Sequence, residues 1–111
     1  MSFSLLATFA IIGYIIYYNL FSLDAREERM GKQLEELITK AIYEVVLKHP
    51  VEDRKLVAEI LIDNLEQEYI SSVNFASEQS NIPVDNLLKI INTKIYYARV
   101  RWLEGDSLKY L

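Results

Sequence analysis

Reactive side chains are thinly supplied in this chain of 111 residues, which has one histidine, no cysteine and three glycines. His49 stands directly before Pro50, and no second histidine or thiol exists to complete a dyad, a triad or a thiolate metal site. At a helix end, such a histidine serves as a charge beside the last carbonyls. Carboxylates are more plentiful. Glu35 and Glu36 are adjacent, and Glu66 and Glu68 are two apart, so on a helix neither pair converges on one acid/base site. Glu59 and Asp63 share a helical face. A carboxylate metal site in a bundle would also need ligands from other helices and a Glu-x-x-His pairing, which is absent. Gly13, Gly31 and Gly105 lie too far apart to build a phosphate loop. The sequence therefore predicts a protein that is not an enzyme, with no catalytic residue, metal or cofactor.

Binding chemistry is better represented. Tyr96, Tyr97 and Trp102 are interleaved with Arg99 and Arg101, and Lys94 shares a helical face with Arg101 across Tyr97. Tyrosine, tryptophan and arginine are the types enriched at interaction hot spots. Lys94, Tyr97, Arg101 and Trp102 are thus the candidate interaction residues, with a second reading in which Trp102 plugs the base of a helical bundle. Charge is segregated as well. Glu59, Asp63, Glu66, Glu68, Glu78 and Asp85 fall in a stretch without a basic residue, whereas Lys89, Lys94, Arg99, Arg101 and Lys109 follow it. Two helices lying side by side would bring these charges together.

Residues 73–91 have a faint helix-turn-helix look, with Ser77, Asn81, Ile82, Leu87 and Ile90 near the small, turn and apolar positions. The segment that would open the recognition helix, Pro83-Val84-Asp85-Asn86, carries no basic residue, and the chain has a net charge of −4. Binding to DNA begins with phosphate neutralisation, so the charge balance argues against nucleic acid as a partner.

The elements that position these residues follow from periodicity. The first 23 residues carry no charged side chain, and residues 3–21 are almost wholly apolar. A bilayer core of ~30 Å needs about 20 such residues as a helix. Tyr14, Tyr17 and Tyr18 cluster at the charged end, where rings with a polar tip suit the headgroup region. No basic residue precedes the apolar run and no small-x-small site follows it, which disfavours a cleaved signal peptide. Arg26, Arg29, Lys32 and Lys40 follow the run closely, which favours an outside N-terminus and a cytoplasmic C-terminal domain. Ala7, Ala10 and Gly13 recur at spacings of three and leave room for another helix, a second copy included.

The remaining residues, 24–111, predict a small all-α domain. Leu34, Leu37, Ile38, Ala41, Ile42, Val45 and Val46 mark a helix over about 25–48; no proline separates it from the membrane helix, so the two could be continuous, with Gly31 as the place for a bend. His49-Pro50 ends it. A second helix over about 51–79 carries the stripe Val57, Ile60, Leu61, Leu65 and Tyr69. A third, over about 84–103, is capped by Asn81 or Asp85 and turns Leu87, Leu88, Ile91, Ile95, Ala98 and Trp102 inward. If this last helix returns toward the membrane, its aromatic, basic end meets anionic headgroups. The fold expected is one transmembrane helix, residues 1–23, continuing into a three-helix bundle. The function expected is that of a single-pass accessory, assembly or regulatory subunit that docks on a larger protein complex in the bilayer. The alternatives are a membrane-tethered nucleic-acid-binding regulator and, on layout alone, a small lysis or exclusion regulator of viral type.

Overall fold

A computed structural model describes residues 22–105 and 107–110, and every regular element among them is helical. Four α-helices follow in order: α1 (Leu23–Val45), α2 (Arg54–Ser71), α3 (Val73–Ser80) and α4 (Val84–Leu103). Short 3-10 turns occupy Val46–Lys48, Val51–Asp53 and Ser107–Lys109. The all-α class is as the sequence predicts, with four helices in place of three. Among the described residues no helix is long and apolar enough to cross a membrane. The expected span over residues 1–23 lies outside the described residues except for Ser22 and Leu23, and so do Tyr14, Tyr17 and Tyr18.

Helix α1 opens with its own cap. Ser22 is extended (ψ 160°), and its hydroxyl accepts a hydrogen bond from the Ala25 amide at 3.3 Å. A serine in this role satisfies one of the free amides of the first turn. The helix expected over about 25–48 thus begins at Leu23, and the residues before Ser22 lie outside the described ones. Gly31 lies within α1 and serves a close approach. The Lys94 side chain crosses directly over Gly31, where a Cβ would stand 3.0 Å from Lys94 Cε. The helix ends as expected before His49 and Pro50, tightening into a 3-10 turn before His49 turns extended.

The predicted helix over 51–79 is two helices. At Ser72 the backbone leaves helical geometry (φ −98°, ψ 4°), and the Ser72 hydroxyl donates to the Glu68 carbonyl at 2.9 Å. Ser71 does the same at 3.0 Å. Paired serine hydroxyls that bond back to the preceding turn compete with the helical ladder and bend it. Asn81 then closes α3 in the left-handed conformation (φ 56°), a position that asparagine tolerates better than most residues. Ser80 accepts from the Ile82 amide and donates to the Ala76 carbonyl, which ties the turn down. Helix α4 follows Pro83 with no side-chain cap, so neither Asn81 nor Asp85 plays the capping role the sequence suggested.

The core joins Leu34, Ile38, Ala41 and Ile42 of α1 with Ala58, Ile62, Leu65 and Tyr69 of α2 and Leu87, Ile91, Ile95 and Trp102 of α4. Ile60 was expected inside but is 53% exposed. Apolar residues ring α2, with Leu56 and Ile60 on the outside, so hydropathy alone left its inward phase ambiguous. The C-terminal tail is not loose among the described residues. Leu108 is buried, and its carbonyl accepts from Arg54, which also donates to the His49 carbonyl at 3.2 Å.

Helices α1 and α4 run in the same direction. Asn86 donates to Glu27 near the start of both helices, Lys94 pairs with Glu35 further along, and Trp102 meets Tyr43 near the end. All three pairs share one sequence offset, so the register is constant along the seam. Trp102 lies beside Tyr43, about 20 residues or ~30 Å along α1 from Leu23.

Candidate functional site

The parallel seam leaves a groove of about 520 Å³ between α1 and α4. It is lined by all four of the candidate residues, Lys94, Tyr97, Arg101 and Trp102, together with Ala98 from α4. Helix α1 contributes Glu35, Glu36, Ile38, Thr39 and Lys40. These α1 residues were not read from sequence as interaction residues, because nothing local tells which face of α1 meets α4.

The four candidates differ in what they offer. Trp102 is only 4% exposed and belongs to the core, with one surface at the groove. Tyr43 meets its ring edge-on, with centroids 6.2 Å apart and planes at 86°, a favoured aromatic arrangement. The Arg101 guanidinium lies over the same ring, 4.5 Å from its centroid. A cation in that position is attracted by the ring's negative face. The ring is buried at the bundle end, as the second reading expects, and one face of it walls the groove. Tyr97 is 58% exposed and stands at the rim, tilted against Tyr96 at 5.7 Å. Lys94 is mostly covered and forms a short ion pair with Glu35 across the groove.

Arg99, although embedded in the same aromatic-basic run, faces the other way. It bonds Asp63 at 2.8 Å and Glu66 at 2.9 Å on α2. Hydrogen bonds to Glu66 and then Asp63 raise its pKa further above the ordinary arginine value. The complementarity expected between acidic and basic stretches is thus realised at this point. Of the α1 charges, Lys32 pairs with Glu28 at 3.8 Å and Lys40 with Glu44 at 3.9 Å.

A second open stretch of about 680 Å³ continues the groove toward the start of both helices, past the Glu35–Lys94 pair. Glu27, Glu28 and Lys32 form its α1 wall, and Asn86, Lys89 and Thr93 its α4 wall, with Ile90 between. Elsewhere, the helix-turn-helix-like segment takes the form of an eight-residue helix, a turn through left-handed Asn81 and the longer α4. Ile82 and Leu87 are buried as that pattern requires, but the exposed residues at the start of α4 are Pro83, Asp85 and Lys89. His49 is exposed. Among the described residues no group of three or more histidine, cysteine, aspartate or glutamate side chains gathers as a metal site.

Comparison with family models, with curated proteins and with solved structures gives no match to this chain.

Proposed function

We propose that the chain is a non-enzymatic accessory or regulatory subunit, anchored in a bilayer by residues 3–21, that docks on a larger protein through the α1/α4 groove. The observation that carries this reading is the gathering of Lys94, Tyr97, Arg101 and Trp102 along one open seam, with Tyr97 exposed at its rim. Rigid aromatic rings beside a guanidinium make strong anchors, because they offer large area at a low entropic cost. The uncharged N-terminal run supports the anchor, and the downstream basic residues support a cytoplasmic domain. An anchor raises the local concentration of the domain near a partner in the same membrane, so a modest groove affinity suffices.

A photo-activatable residue in place of Tyr97, in the full chain in its native membranes, tests this reading. One dominant protein adduct is expected, and it should be absent when the probe replaces Glu59 on the acidic face of α2. Adducts to lipid alone, or equal labelling from both positions, would defeat it. Release of the unmodified chain by alkaline carbonate would defeat the anchor separately.

A second reading, nucleic-acid binding by α3 and α4, is favoured by the left-handed turn at Asn81 between the two helices. It predicts an affinity that falls steeply with salt, because bound phosphates release counterions. An aromatic-anchored protein interface should change much less over the same range.

A further inference from the structure

We propose that the occupant of the α1/α4 groove is a single amphipathic helix of the partner, running antiparallel to α1 and α4, with one acidic and one basic flank. This rests on the reading of the groove as a docking surface and adds the chemistry of what fills it.

Three observations select this occupant. The two open stretches share Glu35 and Lys94 and together follow the seam from Glu27 to Lys40, about four helical turns. That shape fits a helix laid lengthwise, the helix-in-groove mode of recognition. Its floor is apolar, with Ile38, Ala98 and Trp102 at one end and Ile90 at the other. The walls then carry opposite charge. The α4 wall offers Lys89, Lys94 and Arg101 and no acid. The α1 wall carries four carboxylates against two lysines, Lys32 paired with Glu28 of the same wall and Lys40 with Glu44, so it is acidic on balance. A helix with an apolar stripe, acids toward α4 and bases toward α1 matches both walls. A uniformly charged helix opposes one of them, and like charges brought together at an interface are a strong source of discrimination. Because α1 and α4 are parallel, their dipoles add, and an antiparallel neighbour is the favourable one.

The Glu35–Lys94 pair crosses the groove but does not obstruct it. Gly31 has no side chain, so the Lys94 stem lies flat against α1. Lys94 is mostly covered, and an incoming helix passes above it.

Trp102 is the only tryptophan in the chain and lines the groove, so its fluorescence reports occupancy directly. The test uses the full chain in a non-ionic detergent and three synthetic peptides of about 18 residues without tryptophan. All three share one leucine stripe. One has a glutamate flank and a lysine flank, one has lysine on both flanks and one has glutamate on both. The mixed peptide should bind about tenfold more tightly than either uniform one, the scale of a few rim ion pairs acting together. In a Lys89→Glu, Arg101→Glu chain both walls are acidic, and preference should move to the lysine peptide by a similar factor. Lys89→Gln with Arg101→Gln should give a smaller shift in the same direction and covers the case in which the reversed chain does not fold. Equal affinity for the three peptides overturns the proposal. So does a preference that ignores wall charge, or a Trp102 signal that changes with protein concentration alone, which marks a second copy as the occupant. Peptide binding that appears only after removal of residues 1–21 overturns it too, since the chain's own segment then fills the groove. Failure of the docking function is distinguishable from all of these: the peptides would discriminate as expected while the probe at Tyr97 captures no protein in membranes.

Discussion

On its α2 side, α4 presents Arg99 to two carboxylates at once, Asp63 at 2.8 Å and Glu66 at 2.9 Å. On its α1 side it presents Lys94 to Glu35 alone and leaves a groove of about 520 Å³ beside the pair. Both seams use a basic residue of α4 and acids of the neighbouring helix. A planar guanidinium can address two acceptors and hold both helices at a fixed spacing, whereas an ammonium on a flexible stem acts as a point charge. Ala58, Ile62 and Leu65 of α2 and Ile91 and Ile95 of α4 are all buried. The α1 seam keeps Tyr97 exposed and Trp102 at its edge. In this molecule one seam of α4 is clamped on two acceptors, and the other leaves open surface beside a single ion pair.

The sharpest challenge to that division is Trp102, which belongs to both. If its ring is core, Trp102→Ala should lower stability by about 3–5 kcal/mol, because the cavity left behind cannot collapse fully. For a domain of this size that is a fall in melting temperature of roughly 12 °C or more. Arg101→Ala, which removes only the cation over the ring, should cost less than about 1 kcal/mol. Thermal melting followed by circular dichroism checks both. Equal small losses for the two variants would mean that the groove end of α4 is surface throughout, and the contrast between seams would collapse.

A smaller effect is expected on the closed seam. Arg99→Ala removes two ion pairs that are partly exposed, so the loss should be about 1 kcal/mol, the upper end for such pairs. The matching change on the open seam, Lys94→Ala, should cost less, because only one carboxylate loses its partner. Chemical denaturation of the two variants side by side measures the difference. A larger loss at Lys94 would reverse the assignment of the structural clamp.

Tyr69 supplies a test of the core shared by α1, α2 and α4. It is 3% exposed, and its hydroxyl has no hydrogen-bond partner among the described residues. Burial alone raises its pKa above the usual tyrosine value. A raised folded pKa means that the phenol ionises first in the unfolded chain. The stability that the neutral form contributes is then complete below about pH 10 and declines as pH rises toward the folded value. Tyr69→Phe removes an unsatisfied polar group at nearly constant volume, so at neutral pH it should be neutral or stabilising by up to about 1 kcal/mol. Above pH 10 the variant should lose less stability than the parent. A destabilised variant at neutral pH would show that the hydroxyl has a partner in solution.

Much of the helical layout was legible in sequence, because its punctuation is covalent. Proline at 50 and 83 and the serine-asparagine run before Ile82 mark breaks whatever the tertiary structure does. The break at Ser72 was less visible. Serines there are compatible with a continuing helix as well as with a break, and both hydroxyls bond back to Glu68. For the site, the aromatic-basic run on α4 could be read directly, but its partition could not. Residues 97 to 102 span little more than one helical turn and so point in different directions, which sends Arg99 to α2 and Arg101 to the groove. The α1 half of the groove depends on a parallel register between segments 59 residues apart. No local pattern encodes that distance.

Gly31 offers the finest discrimination between the seams. Within a helix, alanine is favoured over glycine by about 1 kcal/mol. Against that gain, a Cβ at Gly31 would press on Lys94 Cε at 3.0 Å. The neighbour is the far end of a flexible side chain, so it can move, loosening a pair with Glu35 that is worth at most about 1 kcal/mol. Gly31→Ala should therefore be stabilising by about 0.5 kcal/mol or less. In a Glu35→Gln background the pair is already lost, so the same substitution should stabilise by more. A double-mutant cycle isolates that difference. If Gly31→Ala instead costs more than about 1 kcal/mol in both backgrounds, α1 and α4 are locked at this crossing by rigid packing, and the open seam is as tightly built there as the closed one.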